Sequence, residues 1–382
     1  MKSWIKPLLA ITFASLITGC SLWRNSDEVR PAPLVDFTPE SSVTTQWSVS
    51  IGRGTGEGFH QMQPSIDGDS IYAADDRGVV VALNRHTGER LWTVNLREPI
   101  IGGVGSGHGQ VVLSTRTGYL VALNANDGAE IWRKRLSTEV TAPPQINREL
   151  VVVKQLNGKV IALDRMTGEQ RWSFSSQVPA LTLRGTGAPL LTADVTFAGL
   201  LDGRIVTLDN RNGQVIWDYR VALNEGRTDL ERIVNVNSRP IILDDVLYVV
   251  GYQGRLLAIN PFNVQALWSQ TISSYRNLAS GFGNIYVSDA NSHVHAYDAR
   301  TGASVWSQTE LTHRRLTSPA ALGNALVVGD SEGYLHFMSQ VNGQFLARHR
   351  IDSSGLQSDM LVRDNTLYVH SNSGRLVALT LN

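Results

Sequence analysis

Apolar residues in this chain fall in short runs, each followed by a polar turn and a second run that opens on a large aromatic, and the arrangement recurs along most of its length. The clearest copy spans residues 78–92. Gly78 closes a turn after Asp76 and Arg77, Val79 to Leu83 form a largely β-branched run, Asn84 to Gly88 carry turn chemistry, and Leu91 and Trp92 open the next strand. Copies begin at Gly78, Gly118, Gly158, Gly203, Gly254, Ser292, Gly333 and Gly374. Their mean period of about 42 residues is that of a four-stranded propeller blade.

Six residues into each copy stand Asn84, Asn124, Asp164, Asp209, Asn260, Asp298, Ser339 and Thr380. Asn and Asp suit this turn because their short side chains bond nearby backbone and tolerate left-handed conformations. Gly88, Gly128, Gly168, Gly213, Gly302 and Gly343 end the turns, and the copy with Asn263 and Val264 lacks the Gly. Trp92, Trp132, Trp172, Trp217, Trp268 and Trp306 follow, with Ala347 in the seventh slot. One large side chain at one repeated position docks between neighbouring blades and covers the face that a single sheet cannot bury. The eighth copy stops before its Trp strand, while Trp47 lies on a strand with no partner before it. The pattern therefore predicts an all-β chain folded as a single eight-bladed β-propeller over 43–382. Its blades are four-stranded and antiparallel, and the ring is closed by the N-terminal strand pairing with the C-terminal blade.

Composition narrows the function. The chain has 382 residues with 34 Lys and Arg against 34 Asp and Glu. No basic excess is available to neutralise phosphates, so no nucleic-acid partner is expected. The sole cysteine, Cys20, excludes an intramolecular disulfide, a Cys-rich metal site and a thiol nucleophile in the folded body. Lys2 and Lys6, an apolar run from Leu8 to Thr18, and Gly19 form an export signal over 1–19. Leu16 to Cys20 resembles the lipobox of bacterial lipoproteins, which implies lipidation at Cys20. Ser21 in place of an inner-membrane retention Asp implies the periplasmic face of the outer membrane. Several acyl chains give a stable membrane anchor. Residues 20–42, rich in Ser, Pro and charge, read as the lipidated N-terminus and a flexible tether.

Function is expected where the copies differ, because folding already accounts for the repeated residues. Among the long Trp-to-Trp intervals, 172–217 and 217–268 carry insertions at 175–189 and 222–240, each after a Trp strand and before the next blade. Equivalent loops of successive blades emerge on one face, so the two should form one surface. Leu181, Leu183 and Leu230 are mixed there with Arg184, Arg227 and Arg232, a combination suited to a protein interface. The Gly-rich stretches 52–58 and 102–109 lack the strand-loop-helix setting of a phosphate site and read as loops between strands. His293 and His295 face the same side of one strand, yet no third ligand stands at motif spacing, so no metal site is expected. His313, Arg314 and Arg315 read as a surface cluster, and no catalytic arrangement is identified.

The Asp/Asn-x-x-Thr-Gly-x-x-x-Trp repeat resembles that of quinoprotein alcohol dehydrogenases. With the lipobox, eight repeats and the segments 181–185, 311–319 and 327–336, the whole chain resembles the outer-membrane β-barrel assembly lipoproteins. That resemblance implies a non-enzymatic scaffold without cofactor, which binds the periplasmic domains of BamA and helps deliver and insert outer-membrane proteins. Contact with unfolded clients by pairing at open strand edges is part of the same expectation. The family's Leu-x-Leu-Arg contact element falls on Leu181, Leu183 and Arg184. Its Asp-x-Asp element falls on Asn235 and Asn237, which removes both charges and leaves hydrogen bonding. The enzyme alternative, a quinone-dependent periplasmic dehydrogenase, implies a longer chain and in many cases a disulfide of adjacent cysteines, which one cysteine cannot form.

Overall fold

The third strand of every repeat is buried on both faces, which is why these segments read as unbroken apolar runs instead of alternating ones. They are Val79–Asn84, Tyr119–Asn124, Val160–Asp164, Arg204–Asp209, Gly254–Asn260, Val294–Asp298, Tyr334–Ser339 and Arg375–Leu381. The computed structural model describes residues 29–56, 61–179, 181, 185, 187–223, 227–228 and 232–382. Among them are eight four-stranded antiparallel sheets and no helix. Blades 1 to 7 occupy 65–95, 105–135, 145–174, 190–220, 241–272, 279–308 and 320–350. Blade 8 takes three strands from 361–381 and its outermost one from Val43–Ser50, paired from Val43 against Leu381 to Ser50 against Arg375. The two chain ends thus close the ring as the half-repeats require.

Apolar packing is divided among eight clusters, one at each seam between blades. The tryptophans make the seams. Among the described residues each Trp sits across from a small residue of its own third strand, as Ala82 faces Trp92, Ala162 faces Trp172 and Ala378 faces Trp47. A bulge beside the pair locally increases the twist. In all the described tryptophans but Trp217 the indole then reaches the next blade's turn, where Nε1–H donates to the carbonyl of Arg85, Ala125, Arg165, Asn210, Ala299 or Gln340 at 2.7–3.0 Å. The turn Gly lies flat under the ring: a Cβ on Gly213 (φ +74°) would stand 2.8 Å from Trp172. Blade 7 inverts the pair, with Phe337 opposite Ala347, so the volume of the slot is conserved while its donor strand changes.

Residues 32–42 are not a free tether. Ala32 N–H donates to the Thr312 carbonyl, and Glu40 and Ser41 N–H both donate to that of Leu346. The Phe37 ring packs 5.4 Å from Phe345, and Arg348 lies 4.9 Å over Phe37 while donating to the Val35 carbonyl. This strap covers the outer strand of blade 7, Phe345–Arg350, where Phe345, Leu346 and Ala347 are buried. The corresponding residues Leu91, Ile131, Ile216, Leu267 and Val305 of other outer strands are exposed.

The strap is pinned by Arg314, which the surface-cluster reading misplaced: His313 and Arg315 are exposed, whereas Arg314 is only 2% exposed. Its Nε donates to Asp330 Oδ2 at 2.7 Å and its Nη1 to the Ala32 carbonyl at 2.7 Å, and Nη2 donates to the Glu332 carboxylate. His336, fully buried, meets the same Asp330 oxygen at 2.9 Å. Three acceptors around one guanidinium make its burial tolerable.

Candidate partner-binding surface

Because neighbouring strands run in opposite directions, the turns between second and third strands emerge on the same face as the connectors from each fourth strand to the next blade. The insertions 175–189 and 222–240 are two such connectors, and they are adjacent in the ring. They leave their blades differently. After Arg220 the chain is held by Val221 and Ala222, both buried, whose N–H groups donate to the Gly203 carbonyl. It returns through Val234 to Ser238, all buried, where Val236 N–H donates to Leu200, Tyr252 N–H donates to the Asn235 carbonyl and Ser238 Oγ donates to Val250.

This stitched segment is the floor under the first insertion. A Cβ on Gly185 would lie 1.7 Å from Asn237 Oδ1, and one on Gly187 would lie 1.9 Å from the Asn237 carbonyl oxygen. Only glycine admits so close an approach. Thr141 Oγ1, from the connector between blades 2 and 3, donates to the Gly185 carbonyl at 2.8 Å, so three successive connectors interlock.

Asn235 and Asn237 are 0% and 3% exposed. The expectation that they present polar groups to a partner is therefore corrected for the isolated chain: both are buried, Asn235 bridged to Tyr252 and Asn237 beneath Gly185 and Gly187 of the first insertion. Their alternation with Val234 and Val236 reads as a solvated loop only while the segment lying across it is unknown. Leu181 is 50% exposed and stands free for contact, with Val178 and Leu223 also exposed nearby in the chain. Arg227 and Arg232 are exposed. Leu183, Arg184 and Leu230 lie outside the described residues, as does Cys20.

Ranking loops by length overlooks one group beside this surface. The bridge from Asn235 to Tyr252 brings Tyr252 within 6.3 Å of Tyr275, which is 37% exposed, and Arg276 lies 5.1 Å over the Tyr275 ring. Tyr and Arg are the side chains over-represented at the energetic centres of interfaces. The signal was the Tyr275-Arg276 pair in a connector too short to attract attention. Away from the insertions, Asp289 joins His293 and His295 on the same face and supplies the third ligand-type group that motif spacing did not offer.

The ring of Trp-locked blades and the interlocked connectors on one face define an eight-bladed propeller of the quinoprotein-repeat class. The chain belongs to the family described as outer membrane protein assembly factor BamB, whose model matches residues 34–102 and 76–308. It is 47% identical to the outer membrane protein assembly factor BamB of Pseudomonas aeruginosa over 381 residues, covering 100% of both chains. The crystal structure of BamB from Moraxella catarrhalis superposes with a TM-score of 0.82 at 28% identity, covering 89% of this chain and 100% of that one. The quinohemoprotein alcohol dehydrogenase of Comamonas testosteroni superposes with a TM-score of 0.69 at 14% identity, over 88% of this chain and 76% of that one, a likeness of fold alone.

Proposed function

We propose that this protein is a non-catalytic scaffold of the outer-membrane β-barrel assembly machinery. It is held by lipid on Cys20 at the periplasmic face of the outer membrane and binds the periplasmic domains of BamA through Leu181, Leu183 and Arg184. The observation that carries this reading is full-length kinship with a curated assembly factor, insertions included. Leu181, half exposed in the insertion whose Gly185 and Gly187 rest on buried Asn237, supports the placement of the contact. The leucines provide an apolar anchor, and Arg184 provides a charge for acidic or carbonyl groups of the partner. The strap supports client contact as well. An extended segment already covers Leu346 and bonds its carbonyl, and equivalent aliphatics remain exposed on the outer strands of five other blades.

Arg184→Glu in the full-length lipoprotein is expected to lower BamA co-purification from outer-membrane extract at least about tenfold, the loss of roughly 1.4 kcal/mol or more. A role in partner contact alone predicts a thermal midpoint within about a degree of wild type. Recovery of BamA at the wild-type level would remove Arg184 from the interface. In the same fractionation, Cys20→Ala belongs in the soluble periplasmic fraction, and its persistence in membranes lacking BamA would refute the lipid anchor.

A further inference from the structure

In three blades the turn between the second and third strands starts on an aspartate, and one of the three is unlike the others. Asp75, Asp289 and Asp330 each use Oδ1 to accept two backbone N–H groups of their own turn, at 2.7–3.0 Å. That satisfies the turn and leaves Oδ2 free. In blade 1 it accepts the Arg53 N–H, and in blade 7 it faces a cation, the Arg314 guanidinium, beside His336. In blade 6, Asp289 Oδ2 faces two imidazole nitrogens, His293 Nδ1 and His295 Nε2, both at 3.3 Å. All three ligand atoms lie within 4.8 Å of one another.

These distances suit a shared ion better than direct hydrogen bonds. A charge-assisted N–H···O bond closes to about 2.7–2.9 Å, and blade 7 reaches 2.7 and 2.9 Å with the same oxygen. Ligands on a tetrahedral zinc, with bonds of about 2.0–2.1 Å, stand about 3.3 Å apart. The opposite nitrogens are held from behind. His293 Nε2 meets Thr312 Oγ1 at 3.0 Å, and Thr312 spends its own proton on the Thr309 carbonyl at 2.5 Å. Thr312 can therefore only accept, which places a proton on Nε2, so that in the neutral imidazole Nδ1 aims its lone pair at a carboxylate oxygen. For the neutral ring two lone pairs then face each other, an arrangement that a cation between them relieves. His295 Nδ1 is likewise tied, to Ser307 Oγ at 2.8 Å. Hydroxyls bracing the outer nitrogens of two histidines form the outer support that metal-ligating imidazoles use. The three side chains are 25%, 17% and 13% exposed, so an ion has a path in and a solvent-facing fourth position.

We propose that Asp289 Oδ2, His293 Nδ1 and His295 Nε2 bind one divalent transition-metal ion of the zinc class, with water as the fourth ligand. The Thr312 hydroxyl braces His293 and the Thr312 carbonyl accepts the Ala32 N–H of the strap, so an ion here would also stiffen the connector that receives the strap.

The test is calorimetric titration of zinc chloride into the full-length lipoprotein in detergent, carrying no polyhistidine tag and stripped with EDTA, followed by thermal melting with and without zinc. Saturation at one zinc per chain and a raised midpoint are expected, since a ligand that binds only the folded state stabilises it. His295→Gln should abolish stoichiometric uptake, Thr312→Val should weaken it about tenfold, and His86→Gln should leave it unchanged. No saturable uptake by the wild type overturns the site whatever the variants do, and so does uptake that survives His295→Gln. If that variant fails to fold, Asp289→Asn takes its place under the same criterion.

Discussion

Trp172→Ala is expected to destabilise the propeller by about 3–5 kcal/mol, the usual cost of truncating a buried Trp, and Trp217→Ala by markedly less. Trp172 is 5% exposed, donates from Nε1 to the Asn210 carbonyl at 2.7 Å and lies on Gly213. Its removal opens a cavity at the seam of blades 3 and 4 and leaves a buried carbonyl without its donor. Trp217 is only half-buried, and among the described residues it makes no equivalent bond. The reason lies in the turn it faces. There Asn260 is followed by Pro261, and Val264 (φ +62°) replaces the Gly, so a branched side chain stands where the other turns are bare. A β-branched residue at positive φ is also strained. Urea denaturation of the two variants in parallel checks the difference, and equal losses would refute the idea that the turn Gly sets how well each indole docks.

Arg314→Met should cost about 3–5 kcal/mol, because it takes the guanidinium partner from a buried carboxylate. Asp330 is fully buried, and the Ala32 carbonyl loses its donor in the same step. The strap should then be cut faster by protease within 29–42, while the double variant Arg314→Met/Asp330→Asn recovers part of the stability by removing the stranded charge. A single variant as stable and as protease-resistant as wild type would show that the strap is not held by this network.

Acid should act on the same network. Burial raises the Asp330 pKa, but the hydrogen bond and charge of His336, the Tyr334 amide and Arg314 together hold it below its ordinary 3.8. Burial holds His336 below 6.5 despite Asp330. For both groups the unfolded chain takes up the proton first, so their contribution is full above the ordinary values. It is lost as pH falls, for His336 below 6.5 and then for Asp330 below 3.8.

Much of this was legible because it is local. Strand starts, turn Asn and Asp and Trp slots recur along the chain, the two half-repeats complete one another, and a period of about 42 residues built of strands and turns is that of a propeller blade. The insertions were legible as departures from that period. Side chains whose meaning depends on what lies across them were not. Asn237 looks solvated until Gly185 and Gly187 are laid on it, Arg314 looks like one of three surface cations until Asp330 and Ala32 surround it, and Phe37 looks like part of a tether until it reaches Phe345. Asp289 belongs with His293 and His295 only because a turn folds it back over the strand that follows.

By itself, then, the sequence determined the number of blades, the closure of the ring and the place of the insertions, since each follows from hydrogen-bonding and burial demands that a strand or turn meets within a few residues. Tertiary structure alone decided which polar groups are floor and which are surface, and which carboxylate faces which cation. Burial and charge pairing are properties of the space between segments, and their separation along the chain, 282 residues for Arg314 and Ala32, carries no trace of their contact.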